Sequence, residues 1–171
     1  MLQKTVRLHI AHYTELTDAL IKIMAVRIGK DNTIQIKKYV FEEICKTLKR
    51  YRYETGGIIG VNKEGVISAF QFDETDSSNP FEYYPNVVFL NQVINEEWAN
   101  ENIEFVGFVH SHLNNDTLSI QDVIYARDIL KENCCLENIL IGIINLSLNE
   151  SQIEMYLLDM KEKLKICYTV V

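Results

Sequence analysis

Hydrophobic positions along the chain change period several times, and those changes mark out the elements. From residue 14 onward Leu16, Leu20, Ile23 and Met24 recur at helical spacing, and residues 29–32 (Gly-Lys-Asp-Asn) read as a stop and turn. Residues 33–36 alternate like a short strand. A helix is predicted over 39–51, with Val40, Ile44 and Leu48 on one face and cations near its end, where the helix dipole favours them. Ile58 to Val61 is an apolar strand, residues 62–65 make a hairpin turn, and residues 66–72 return. Residues 73–80 form an acidic loop that closes on Pro80, and its spacing does not fit a calcium loop. Phe81, Tyr83 and Tyr84 are expected to pack as a small satellite cluster, with the lining of a substrate groove as the alternative.

Residues 86–100 predict a second helix, with Val87 or Val88, Leu90, Val93, Ile94 and Trp98 facing inward. Residues 103–109 are a central strand that runs directly into His110-Ser111-His112. A helix is expected from Asp122 to about residue 132, then strands over 139–145 and 153–159. The pattern leaves 161–171 open between strand and helix. No repeat, low-complexity segment or linker divides the chain. Its expected organisation is an N-terminal extension over 1–32 that carries the helical pattern, followed by one domain over 33–171. Strands interleaved with helices predict an α/β fold, a three-layer domain with a mixed central β-sheet flanked by helices.

The length of 171 residues suits one sizeable core, and an apolar fraction of 47% with 24% charged residues is that of a globular protein. A net charge of −7 argues against non-specific nucleic-acid binding, which needs a basic surface. No apolar run approaches bilayer length and the N-terminus carries no signal-peptide pattern, so a cytoplasmic protein with no membrane partner is expected. Cys45, Cys134, Cys135 and Cys167 lack Cys-x-x-Cys spacing and read as reduced, mostly buried thiols.

The candidate chemistry lies at residues 110–122. Alternate residues of an extended chain point the same way, so His110 and His112 leave the strand on one side. Asp122 can return to them from the first turn of the next helix. Two neutral imidazoles and one carboxylate are three ligands for zinc, and a fourth position is left to water, as in a catalytic site. Taken alone, Ser119-x-x-Asp122 also reads as a helix cap with an acid at its third position. The two readings are compatible, because a serine cap would aim Asp122. Upstream, Glu54 precedes Gly56 and Gly57, which allow close approach of the backbone.

His110-Ser111-His112, the loop and Ser119-x-x-Asp122, with Glu54 ahead of Gly56-Gly57, resemble the signature of the JAMM zinc metallopeptidases (MPN-plus, or JAB-domain, proteins). The resemblance spans about residues 33–160. The loop between His112 and Ser119 is one residue shorter than is usual in that family, and Leu113 stands where a proline is common. A one-residue deletion in a surface loop changes closure entropy little, so the ligands are expected still to converge.

The resemblance implies the cytidine-deaminase-like architecture of MPN domains, and a compact prokaryotic-like type because the connections after Asp122 are short. It implies that His110, His112 and Asp122 hold one Zn2+ with a catalytic water. Glu54 would then be the general base and Ser119 the donor to the oxyanion. The implied substrate is a ubiquitin-like or sulfur-carrier protein, hydrolysed at its C-terminal tail or isopeptide bond; a homodimer is left open. The alternative is a non-catalytic scaffold or binding module on the same fold. A zinc deaminase would bring Pro-Cys-x-x-Cys, which this chain lacks.

Overall fold

The computed structural model describes residues 32–74, 82–133, 135–149 and 151–171. The helix expected within 1–32 therefore lies outside the described residues, as does Phe81.

Short β-rich segments separated by turns give β1 (Thr33–Ile36), β2 (Gly56–Val61), β3 (Ile67–Phe72), β4 (Glu104–His112), β5 (Ile139–Asn145), β6 (Glu154–Leu158) and β7 (Lys163–Val170). The undecided C-terminal stretch is thus a strand. Among the described residues these strands close on themselves in the order β1-β3-β2-β4-β5-β6-β7. Closure comes from β1, which pairs in parallel with both β3 and β7. The mixed α/β class holds, with β4–β5 also parallel and the remaining pairs antiparallel. Its sheet is a closed barrel instead of an open central layer.

Two cores follow from side-chain alternation. The interior takes residues from all seven strands and from α1 (Lys38–Leu48), which contributes Val40, Ile44, Cys45 and Leu48. The outer face of β2, β4, β5 and β6 packs against the helices that follow β3. These are α2 (Val87–Gln92), a π-helical turn (Val93–Trp98), α3 (Ala99–Glu101) and α4 (Ile120–Glu132). Val87 is the inward valine of its pair, whereas Val88 is exposed. The π turn inserts one extra residue, and Val93, Ile94 and Trp98 are all buried around it.

One irregularity in β4 decides where the histidines point. The register against β2 shifts between Ile59, opposite Gly107, and Gly60, opposite Phe105. The extra residue, Val106, turns inward, so Phe105 and Phe108 both face the outer core. His110 and His112 follow Phe108 at a period of two, on the outer side beneath the helices.

The thiols depart from the sequence reading. Of the described cysteines Cys45 is buried, but Cys135 is half-buried and Cys167 is exposed, and none is in a disulfide. No helix among the described residues is long and apolar enough to cross a membrane.

Candidate metal centre

β4 runs to His112, so both histidines belong to the strand, and both are buried. Their Nε2 atoms stand 2.9 Å apart. Asp122 reaches them from the first turn of α4, with Oδ1 at 3.1 Å from His110 Nε2 and Oδ2 at 3.5 Å from His112 Nε2. One ligand atom from each of the three lies within 4.8 Å of the others, and the group could hold a metal ion. Ligand atoms about 2 Å from a tetrahedral zinc stand about 3.3 Å apart, so small adjustments would admit one.

Asp122 arrives there because the start of α4 is fixed. Ser119 Oγ accepts the Asp122 N–H at 3.1 Å, and the Asp122 carboxylate accepts the Ser119 N–H at 2.7 Å, a reciprocal capping box. Ala126, Ile129 and Leu130 seat the rest of the helix on the outer core. The same aspartate therefore caps the helix and faces the histidines.

Glu54 lies just before β2, and strand register brings it to the site. Gly56 pairs with His110, so two residues back along the antiparallel pair Glu54 falls opposite His112. Thr55 and Ser111 carry the pairing past the end of β2. The Ser111 N–H donates to the Thr55 carbonyl at 2.8 Å, and the Thr55 N–H donates to Ser111 Oγ at 3.0 Å.

The glycines next to Glu54 are required for space. A Cβ at Gly56 would meet the Tyr83 ring at 2.5 Å and His110 Cβ at 2.8 Å, and one at Gly57 would lie 2.1 Å from the Gln71 carbonyl oxygen. The Tyr83 ring stacks on His110 with centroids 6.3 Å apart, and its hydroxyl donates to Asp73 at 3.0 Å. Asp73 also accepts the Asn86 N–H at 2.6 Å. Asp73 is therefore buried, not a residue of a solvated loop. Tyr83 belongs to the site and is not part of a detached aromatic cluster, while Tyr84 is exposed.

The electrostatics follow from this crowding. Burial raises the Glu54 carboxyl above the ordinary range, and the charges of His112 and His110 offset only part of that. The Leu113 backbone N–H also acts to lower it, a donor that a proline at that position would lack. Burial acts to raise Asp122 as well, but the adjacent His110 and His112 rings and the Ser119 N–H outweigh it and hold this carboxyl well below the usual range. For His112, burial opposes the charged ring, and Asp122 and Asn115 more than compensate, so its pKa is raised.

The sequence reading brought together Glu54, His110, His112, Ser119 and Asp122. It passed over Thr55, Ser111, Asp73 and Asn115, and gave Tyr83 a place at a substrate groove only as the lesser alternative. Of these, Asn115 had a local signal, as a loop amide three residues beyond a candidate ligand.

No family model matches the chain, and no curated protein matches it. Solved structures do. A protein of Desulfitobacterium hafniense, determined in solution, superposes with a TM-score of 0.65 at 14% identity, covering 80% of this chain and 92% of its own. At that identity the likeness shows a shared fold. A JAB1/MPN domain protein of Archaeoglobus fulgidus aligns with a TM-score of 0.48 at 14% identity, over 81% of this chain and 100% of its own.

Proposed function

We propose that residues 33–171 form a zinc-dependent peptidase or isopeptidase domain of the JAMM type. Its substrate would be a ubiquitin-like or sulfur-carrier protein, cut at the C-terminal tail or isopeptide bond. The observation that carries the reading is the convergence of Nε2 of His110, Nε2 of His112 and the Asp122 carboxylate, with Glu54 opposite His112. The motif resemblance supports the same assignment independently. A cytoplasmic location is part of the proposal.

His110, His112 and Asp122 would hold the metal, two nitrogens and one oxygen being a donor set suited to zinc. Bound there, Zn2+ supplies Lewis acidity, which lowers the pKa of a coordinated water from about 15.7 toward 7.

The chain's own groups do the rest. Glu54, desolvated and raised in pKa, accepts a proton from the attacking water and returns it to the leaving nitrogen. Ser119 Oγ already accepts the Asp122 N–H, so its hydroxyl proton is left for the oxygen that gains charge as the carbonyl is attacked. One such donor is typically worth about 3 kcal/mol in the transition state. The buried Thr55–Ser111 bonds keep Glu54 in register, and the Tyr83 ring covers His110 from the Gly56 side. No covalent enzyme intermediate is involved, and no cysteine is used.

The test is hydrolysis of C-terminal fusions of ubiquitin-like and sulfur-carrier proteins by the zinc-loaded chain. Cleavage at the fusion junction by the wild type, lost in Glu54→Gln, is the expected result. Cleavage retained in Glu54→Gln would remove Glu54 from the mechanism. No cleavage of any fusion by a protein shown to hold zinc would contradict the substrate class.

A further inference from the structure

We propose that Asn115 is a positioning residue that fixes the tautomer of His112 and so turns its Nε2 lone pair toward the metal position. The inference rests on the metal reading given above, and its geometry is independent of it.

The loop between β4 and α4 brings Asn115 Oδ1 to 2.8 Å from His112 Nδ1. An imidazole nitrogen can donate or accept, so that distance alone assigns no proton. A second contact does. The Thr117 backbone N–H donates to the same Asn115 Oδ1 at 3.3 Å. A backbone N–H can only donate, so the atom between Thr117 and His112 is the amide oxygen and not the amide nitrogen. An amide oxygen can only accept. His112 Nδ1 must therefore carry the proton, and the lone pair of the neutral ring is left on Nε2.

That Nε2 atom faces His110 Nε2 at 2.9 Å and Asp122 Oδ2 at 3.5 Å, the position where a ligand nitrogen is needed. The two histidines differ in this respect. His110 Nδ1 is buried with no hydrogen-bond partner among the described residues. Of the pair, His112 is the one whose tautomer a side chain dictates.

The loop is held well enough to impose this orientation. Tyr156 Oη donates to the Asp116 carbonyl at 3.2 Å, and Leu118 is buried in the outer core. Asn115 thus sits on a short span fastened at both sides, between His112 in the sheet and Leu118 beneath α4. Partners of this kind orient ligand histidines, and their loss typically weakens metal affinity about 10- to 100-fold.

The experiment compares the wild type with Asn115→Ala, Asn115→Leu, which keeps the volume but not the acceptor, and Asn115→Asp, which keeps the acceptor. Zinc affinity is read by competition with a chromogenic chelator. The His112 tautomer is read from ring nitrogen shifts in long-range proton–nitrogen spectra of the metal-free protein at mildly alkaline pH. The alanine and leucine variants should bind zinc about 10- to 100-fold more weakly and lose the Nδ1–H tautomer, and the aspartate variant should restore both. A residue that merely braced the loop would lower the melting temperature and leave the tautomer unchanged. The proposal is overturned by an unchanged tautomer in Asn115→Ala, or by zinc affinity within about twofold of wild type. A wild type that binds no zinc contradicts the metal reading, while the tautomer spectra still decide the role of Asn115.

Discussion

Ser111 and Thr55 are tied to each other three times: the Ser111 N–H donates to the Thr55 carbonyl at 2.8 Å, the Thr55 N–H donates to Ser111 Oγ at 3.0 Å, and Ser111 Oγ donates to the Thr55 carbonyl at 3.3 Å. Ser111 stands between the two histidines and Thr55 follows Glu54, so one residue pair couples the candidate base to the candidate ligands. Ser111→Ala keeps the backbone bond and leaves the buried Thr55 N–H without an acceptor. The expected loss of stability is about 1–3 kcal/mol, from chemical denaturation. Turnover should fall more than zinc affinity does, because Glu54 is displaced and the ligands stay. An unchanged kcat in a correctly folded variant would remove this pair from the positioning of Glu54.

Gly56→Ala tests the packing from the other side. Its Cβ would have to displace the Tyr83 ring or His110 Cβ, at 2.5 and 2.8 Å. Overpacking of this kind costs about 1–3 kcal/mol, and the displaced His110 should bind metal more weakly. Adding Tyr83→Ala should recover part of the zinc affinity by opening space. Full zinc affinity in Gly56→Ala alone would show that the strand absorbs the clash elsewhere.

Ionised Glu54 should cost the fold stability. Its carboxyl is raised in the folded chain, so protonation is favoured by folding, and the penalty grows as pH rises from the unfolded value of about 4.3 through the folded one and is complete above it. The metal-free Glu54→Gln variant should melt higher than wild type near neutral pH, and the difference should shrink on acidification. Hydrolysis, by contrast, should fall by about 10²- to 10⁴-fold with zinc retained. Melting curves of both proteins across pH decide the first point; a variant that melts lower at neutral pH contradicts it.

Without metal, the centre has its own pH dependence. Asp122 is depressed, so its contribution is present above the unfolded carboxyl value of about 3.9 and is lost as pH falls through the folded value. His112 is raised, so its contribution is complete below the unfolded value of about 6.5 and is lost as pH rises through the folded one. The metal-free melting temperature should therefore be highest between about pH 4 and 6.5 and decline on the alkaline side. His112→Gln should flatten that decline. Zinc takes the neutral rings, so the stabilisation it adds should grow with pH instead. A decline unaffected by His112→Gln would contradict the assignment.

Much of this was legible in the sequence, for local reasons. Apolar runs marked β4 and β5, and helical periodicity marked α1 and α4. The His-x-His spacing placed two imidazoles on one side, and Ser119-x-x-Asp122 fixed the helix start. What was missed depends on distant partners. Closure of the sheet rests on parallel pairing of Thr33–Ile36 with Lys163–Val170, at opposite ends of the described chain. β7 could not be told from a helix because within it Ile166 alone is fully buried, which leaves almost no pattern to read. Asp73 looked like one more acid in an acidic loop, and it is buried only because Tyr83 and Asn86 come back to bond it. The role of Asn115 required the loop's fold, since its acceptor is identified by the Thr117 N–H.

The most direct measurement is zinc content per chain in protein purified without chelator or added metal, with wild type beside His112→Ala and Asp122→Asn. About one zinc in the wild type and little in either folded variant is the predicted result for a three-ligand catalytic centre. A wild type that remains empty after zinc is added back, or variants that hold as much zinc as wild type, would contradict the account.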